Sequence, residues 1–194
     1  MPSTYGSSEK RQHIVETAYT LFKRAGFHAT GIDRIIAEAG VAKMTMYRHF
    51  PSKDGLIVEV LGYRARRFDR QLDRLAEQAA TPEQKIATIF DWYQRWFQSP
   101  DFHGCLFAHA LAEFGDPASP VYEAVSGQKN GLKQRLRRIL EQTMPDHRAE
   151  RIAAALLMLL EGATLLAQMG QGDVAIRAAR EAASEIIAAA ATSP

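Results

Sequence analysis

A break of only two residues between two short helical segments restricts the fold of this chain more than any other feature. Apolar residues recur at helical spacing over residues 32–39. A second segment, over about 42–50, must end at Pro51, because proline cannot donate the hydrogen bond that would continue a helix. Only Gly40 and Val41 lie between the two segments. A connection this short makes the second helix turn sharply against the first, as in a helix-turn-helix motif.

Further helices are predicted on both sides of this pair. A helix over about 9–25 ends at Gly26, because glycine accepts a left-handed conformation without strain. Thr30 is expected to cap the helix that starts at about residue 32, and a long helix follows from Ser52. The N-terminal part therefore predicts three helices packed together and a fourth that leads away from them.

The rest of the sequence also favours helices. Apolar side chains return every three or four residues after the Thr81-Pro82 break, and the alternating runs typical of strands are scarce. The interpretation is an all-α protein of about nine helices, in which a long helix joins an N-terminal three-helix helix-turn-helix domain to a C-terminal helical domain. The predicted divisions are a flexible arm over 1–8, the helix-turn-helix domain over 9–63 with its reader segment at about 30–50, and the C-terminal domain over 64–194.

Charge is distributed unevenly along the chain. The net charge is only +2, yet Lys and Arg exceed Asp and Glu up to about residue 80, and the remainder is mildly acidic. The segment 41–53 contains Lys43, Arg48 and Lys53, together with His49, and no acidic residue. A cation-rich helix without acids attracts phosphate groups, so this segment predicts binding to nucleic acid.

Helical periodicity divides the second helix of the motif into two faces. Met46 and Phe50 are four residues apart and are expected to face the core. In a helix-turn-helix the second helix lies in the major groove of DNA, where its outward side chains meet phosphates and base edges. The side chains expected to point outward here are those of Lys43, Thr45, Tyr47, Arg48 and His49.

Three ordered segments resemble the N-terminal domain of the TetR/AcrR family of transcriptional regulators. They read GFHAT at 26–30, IIAEAGVAK at 35–43 and YRHFPSKD at 47–54. Two later segments, GCLF at 104–107 and AEFGDP at 112–117, are similar to C-terminal domains of the same family. The resemblance implies a homodimeric regulator, usually a repressor, that binds a double-stranded DNA operator and whose C-terminal domain binds a small effector molecule.

The resemblance also implies which residues touch DNA, chiefly its backbone. Two positions depart from the common pattern. Ala42 stands where a serine often caps the helix, and Met44 stands where a small residue is frequent, so that its apolar side chain can contact a thymine methyl group. The residues expected at the DNA are Thr30, Lys43, Met44, Thr45, Tyr47, Arg48, His49 and Lys53.

Aromatic residues are abundant beyond the Thr81-Pro82 break. Pockets for small molecules are lined mainly by such side chains with a few polar groups, although the same spacing is also typical of an ordinary core. A largely apolar effector is therefore expected. The side chains predicted to line its pocket are those of Tyr93, Trp96, Phe97, Phe107, His109, Phe114, Met158, Glu161 and Leu165.

A helix over about 149–169 is apolar nearly all round, so it needs packing partners on every side. It is almost long enough to cross a bilayer, but Glu161 at its middle argues against insertion. Packing against a second protomer is the preferred interpretation, because a two-fold dimer would present two reader helices to a palindromic operator. The predicted dimer interface consists of Leu156, Leu160, Ala163, Ala167, Ala175, Ala179, Ala182 and Ile186.

The sequence lacks the motifs typical of metal sites and enzymes. Cys105 and His109 share a helix face, but zinc sites usually need four ligands at characteristic spacings, so neither a metal nor a cofactor is expected. No nucleophile motif or phosphate-binding glycine loop supports an enzyme, whereas a non-specific DNA-binding protein stays an alternative. A single cysteine and no N-terminal apolar run predict a cytoplasmic protein without a disulfide. Cys105 is interpreted as a buried structural cysteine, with oxidant sensing as the alternative.

Overall fold

The structure, a computed structural model, describes residues 6–192, in which there are nine helices and no strand. The predicted all-α class is therefore confirmed. Of the predicted arm, residues 1–5 lie outside the described range, whereas Ser7 and Ser8 already belong to the first helix. The helices are α1 (Ser7–Ala25), α2 (Ile32–Ala39), α3 (Lys43–His49), α4 (Lys53–Glu77), α5 (Pro82–Phe97), α6 (Leu106–Glu113), α7 (Pro120–Leu140), α8 (Asp146–Gln168) and α9 (Gly172–Thr192).

The chain forms two compact units. The first comprises Met1–Arg67 together with Leu106–Ser126, and the second comprises Phe68–Cys105 together with Gly127–Pro194. The long helix α4 belongs partly to each unit. The first unit thus includes α6 and the beginning of α7, which come from the middle of the chain and which helical periodicity alone does not assign to it.

The turn between α2 and α3 is set by one glycine. Gly40 has a left-handed backbone (φ 61°, ψ 33°), its N–H donates to the carbonyl of Ala37, and the N–H of Val41 donates to that of Ile36. These bonds satisfy the last carbonyls of α2 and turn the chain at once into α3. A residue with a Cβ atom would be strained in this conformation, so the turn favours glycine.

Helices α1 to α4 pack around a continuous apolar core within the first unit. The rings of Phe22 and Phe27 lie 4.8 Å apart at its centre. The inward side of α3 contributes Met46, as the periodicity predicts, and Phe50 follows it. The other fully buried side chains here include those of Ile14, Ala18, Ile35, Leu56, Ile57 and Val60.

Helix α5 begins where the Thr81-Pro82 break predicts. Pro82 is the first helical residue, the Thr81 hydroxyl accepts from the N–H of Gln84, and the Gln84 side chain accepts from the N–H of Thr81. This reciprocal pair satisfies donors that the first turn of a helix leaves unpaired. The core of the second unit is built mainly from α5, α8 and α9. None of the helices in the described range is long and apolar enough to cross a membrane.

Gly104 precedes α6 and has a positive φ of 83°. A Cβ atom at this position would lie 1.5 Å from Nε2 of Gln168. Gly104→Ala is expected to lower the free energy of unfolding by about 1–3 kcal/mol, because it combines backbone strain with displacement of the Gln168 side chain. Urea denaturation of the full chain measures this change.

Gly131→Ala is the matched control for this substitution. Gly131 lies inside α7, and a Cβ atom there would meet nothing within 4 Å. Alanine favours a helix over glycine by up to about 1 kcal/mol, so this variant is expected to be as stable as the parent protein or slightly more stable. Equal stability changes in both variants would contradict the role assigned to Gly104.

Candidate nucleic-acid interface

The outward face of α3 carries the side chains that the sequence places at the DNA. Met44 is 82% exposed and Tyr47 is 42% exposed. Lys43 and Arg48 are also exposed, while Met46 on the opposite side is completely buried. The helix contains no acidic residue. It therefore presents a cationic surface with one apolar side chain and one phenol, which matches the mixture of phosphates and base edges in a major groove.

Lys43 has one acidic neighbour within this surface. Its ammonium lies 3.4 Å from the carboxylate of Asp33, and both side chains are largely exposed to solvent. Exposed ion pairs of this kind contribute little to stability. The ammonium can therefore exchange this carboxylate for a phosphate at low cost. Ala42 supplies no side-chain cap to α3, as expected from its departure from the family pattern.

Thr30 lies elsewhere than predicted. It is completely buried, and its hydroxyl donates to the carbonyl of Gly26 at 2.7 Å. The residue that caps α2 is Gly31, which offers no side chain. The prediction that Thr30 caps this helix and contacts a phosphate is therefore wrong, because its hydroxyl closes the loop between α1 and α2 inside the protein.

His49 is half-buried and does not add a cation to the surface. Its Nε2 is buried without a hydrogen-bond partner among the described residues. Burial lowers the pKa of His49, and the nearby positive charges of Arg48, Arg11 and Lys10 lower it further. The imidazole is therefore neutral at pH 7, which corrects its grouping with the cations. Thr45 and Lys53 are half-buried, and the Lys53 ammonium lies 3.5 Å from the carbonyl oxygen of His28.

A half-buried carboxylate lies next to the end of α3. Glu59 of α4 accepts from Arg11 at 2.7 Å and from Arg66 at 2.8 Å. The Arg11 guanidinium also lies over the ring of Phe50, 5.0 Å from its centre. The bond from Arg11 holds the pKa of Glu59 below its usual value, so this carboxylate stays ionised. The arrangement ties α1 to α4 next to the end of α3.

The nine predicted pocket residues are divided between the two units. Tyr93, Trp96 and Phe97 belong to an aromatic cluster of the second unit, in which the rings of Trp96 and Phe102 lie 5.0 Å apart. Glu161 is paired with Lys129 at 2.6 Å. Phe107, His109 and Phe114 belong to the first unit, while Met158 and Leu165 are exposed on α8.

The structure buries five of the eight predicted interface residues within one protomer. Leu156 and Leu160 are completely buried in the core of their own protomer, and Ala163, Ala175 and Ala179 are nearly so. Ala167, Ala182 and Ile186 are half-buried. Helices α9 and α5 pack against this face of α8, so it contributes to the core of one protomer.

The opposite face of α8 is the exposed one. Met158 is 68% exposed and Leu165 is 61% exposed. We call the exposed apolar surface of this region the α8 face, and it comprises Met158, Leu165 and Leu166 of α8, Met169 directly after that helix, and Val174 of α9. The sequence contains the signal for it, since residues 158, 162, 165 and 169 share one side of a helix and Gly162 leaves open space there.

Cys105 is buried beside a charged pair. The Lys129 ammonium lies 3.4 Å from its sulfur and 2.6 Å from Glu161. Burial opposes the charged form of Lys129, yet attraction to Cys105 and Glu161 raises its pKa above the usual value. Within the described residues, no three His, Cys, Asp or Glu side chains are grouped so that they could hold a metal ion.

Two family models match the chain, one over each part. The model described as bacterial regulatory proteins of the tetR family matches residues 14–60, which include α2, α3 and the turn between them. The model described as the tetracyclin repressor-like C-terminal domain matches residues 82–183, which is more than half of the chain.

Individual proteins that are similar to this chain are also transcriptional regulators. The HTH-type transcriptional regulator YxaF of Bacillus subtilis is 24% identical over 163 residues, covering 81% of this chain and 84% of YxaF. The HTH-type transcriptional repressor KstR of Mycobacterium tuberculosis is 36% identical over 78 residues, covering 40% of this chain and 36% of KstR. The crystal structure of a TetR-family transcriptional regulator from Streptomyces coelicolor is 29% identical, with a TM-score of 0.88 over 95% of this chain and 97% of that one. The chain therefore belongs to the TetR family of helix-turn-helix transcriptional regulators, a family of DNA-binding proteins and not of enzymes.

Proposed function

We propose that this regulator is a cytoplasmic repressor that binds a palindromic operator as a homodimer and leaves it when a small, largely apolar effector binds. The observation that carries the proposal is the outward face of α3, on which Lys43, Met44, Tyr47 and Arg48 are exposed together without an acidic residue on the helix. Repression, as opposed to activation, is supported by the name of KstR, a transcriptional repressor. Its sequence identity to this chain, 36%, is higher than that of the other two proteins compared above.

The four exposed side chains of α3 suit different parts of a duplex. Lys43 and Arg48 carry the charges that phosphates attract. Arg48 and the Tyr47 hydroxyl can also donate to base edges, whereas Met44 offers only apolar contact. A thymine methyl is the one apolar feature of the major groove, so Met44 favours operators with a thymine at the position it meets.

The α8 face supports the homodimer. A protein leaves so many large apolar side chains exposed on one helix mainly where another molecule covers them. The occupant that we propose is a second copy of the chain, placed so that the same face of each copy contacts the other. Such a dimer presents two copies of α3 to half-sites about one helical turn of DNA apart, roughly 34–36 Å, which is why the operator is expected to be palindromic.

The aromatic cluster of the second unit supports an apolar effector. Phe68, Trp92, Tyr93, Trp96 and Phe97 lie in successive ring contacts there. Helix α4 runs from Lys53, beside the DNA-binding helices, to Glu77 in the second unit. An effector that binds more tightly to a shifted position of α4 would lower operator affinity, typically by about 5–150-fold.

The test of this proposal starts with selection of a binding site from a pool of random duplexes by the purified protein. Fluorescence anisotropy then compares the selected duplex with a scrambled one at near-physiological salt. A preference of about a thousandfold or more, with two symmetric half-sites, is the expected result. Equally weak and strongly salt-dependent binding to both duplexes would instead indicate a non-specific DNA-binding protein.

Lys43→Ala is expected to weaken operator binding and to reduce its dependence on salt. Removal of one phosphate contact per protomer lowers the slope of log affinity against log salt concentration by about one unit per contact. Titrations at four salt concentrations measure the slope. Lys85→Ala on α5 is the control, with no change expected. If Lys43→Ala changed neither slope nor affinity, Lys43 would not belong to the interface.

A further inference from the structure

We infer that Glu113 positions the loop between α1 and α2 for operator binding. Glu113 is the last residue of α6, and the loop covers residues 26–31. The inference rests on the proposed function, since it names a residue outside the helix-turn-helix on which specific DNA binding depends. It concerns a contact within the first unit.

The carboxylate of Glu113 accepts two backbone N–H groups of this loop. Its Oε1 accepts from Phe27 at 2.9 Å, and its Oε2 accepts from His28 at 2.5 Å. The ring Nδ1 of His28 lies 3.0 Å from the same Oε2. Because α1 ends at Ala25 and Gly26 turns the chain, these two N–H groups lie beyond the helix, and a carboxylate from a distant part of the sequence satisfies them.

The approach of Glu113 to the loop is close and specific. A Cβ atom on Gly26 would lie only 3.0 Å from Oε1 of Glu113, and Gly26 has a positive φ of 80°. The next residue of the chain, Phe114, stacks its ring on that of His28 at 4.8 Å and meets that of Phe27 at 6.1 Å. Two successive residues at the end of α6 therefore hold both the backbone and the side chains of the loop.

The loop leads directly to the DNA-binding helices. It continues into α2, and the left-handed turn at Gly40 connects α2 to α3. The carbonyl oxygen of His28 also accepts a hydrogen bond from the ammonium of Lys53, the first residue of α4. A displacement of the loop would therefore displace α3 relative to α4. In a dimer this would disturb the match between two copies of α3 and two half-sites.

Glu113 comes from a part of the sequence that the family places in the C-terminal domain. Residues 82–183 match the C-terminal family model, yet residues 106–126 belong to the compact unit that contains the helix-turn-helix. Helix α6 starts directly after Cys105, the end of a segment of the second unit. Through Glu113, the sequence that matches the C-terminal family model contacts the loop before the DNA-binding helices directly. This contact is separate from the covalent connection through helix α4.

The test uses Glu113→Gln in the full chain, with Glu123→Gln as the control because Glu123 is an exposed residue of α7. Glutamine keeps the size of the side chain but offers one oxygen, so one of the two N–H groups loses its acceptor. We expect the affinity for the selected operator to fall about tenfold. Affinity for a scrambled duplex is expected to stay unchanged, because it depends on the number of cations and not on their register.

Amide hydrogen exchange measures the protection of the backbone N–H groups that donate to Glu113. In Glu113→Gln the exchange rate should rise about tenfold at whichever of Phe27 and His28 loses its acceptor, while that of α9 stays unchanged. Combination with His28→Ala separates the backbone bonds from the contact of the His28 ring, and the effect of Glu113→Gln should persist in that background. If Glu113→Gln lowered Tm but left the operator affinity of the folded protein unchanged, its role would be structural and the inference would be overturned.

The failure of this inference is distinguishable from the failure of the proposed function. If the parent protein selects no operator, the proposed function fails, whereas exchange at Phe27 and His28 still tests the contact. If the parent protein selects an operator and Glu113→Gln binds it with the same affinity and the same exchange rates, the inference alone fails.

Discussion

Replacement of Met158 and Leu165 together by glutamate should convert the proposed dimer into monomers and lower operator affinity at least about a hundredfold. These side chains are 68% and 61% exposed in the single chain, so the substitutions cost little within one protomer. In a two-fold dimer they would place like charges and unpaired carboxylates in an apolar interface. Each monomer would then bind one half-site without the gain in effective concentration that a linked second copy provides.

Analytical ultracentrifugation gives the mass of the double variant, and anisotropy with the selected operator gives its affinity. Circular dichroism should show the helix content of the parent protein. Ala87→Glu, at an exposed position of α5, serves as the control and should change neither mass nor affinity. A double variant that remains a dimer would place the interface elsewhere than on the α8 face.

Arg48→Glu should abolish measurable operator binding, with a loss of at least about a hundredfold. Arg48 is exposed on the acid-free face of α3, where a carboxylate would be repelled by phosphates and could no longer donate to a guanine. In the proposed dimer two protomers bind one operator, so the penalty would be incurred twice. Neither effect requires the protein to unfold, because the side chain lies outside the core.

Anisotropy with the selected and the scrambled duplex measures this loss, and a thermal melt confirms folding. Arg95→Glu reverses the same charge at an exposed position of α5 and should leave operator affinity within about threefold of the parent value at physiological salt. Full retention of operator affinity in Arg48→Glu would remove Arg48, and with it the proposed orientation of α3, from the interface.

The helix-turn-helix could be predicted from local rules of the sequence. Gly40 is the residue that accepts a left-handed turn, and Pro51 is the residue that cannot continue a helix, so both define ends without reference to the rest of the chain. The inward position of Met46 follows from the period of the helix alone. These interactions reach no further than a few residues along the chain, which is why the sequence predicts them.

The features that the sequence did not predict depend on partners distant in sequence. Thr30 is a residue type that often caps helices, but its side chain is buried and its hydroxyl donates to the carbonyl of Gly26. His49 lies in a cationic segment, yet burial keeps it neutral. Glu113 belongs to a helix with no local sign of a role in the N-terminal unit, and only the folded chain brings it to Phe27 and His28.

Helix α8 shows the same division most clearly. Its sequence determined that it is helical and apolar nearly all round, which predicts packing on more than one side. Leu156 lies on one side of this helix and Met158 on the other, and both are apolar. The sequence therefore does not show which side packs inside its own protomer. The tertiary structure decided this by packing α5 and α9 against Leu156 and leaving Met158 exposed, because burial is a property of neighbouring elements and not of the helix itself.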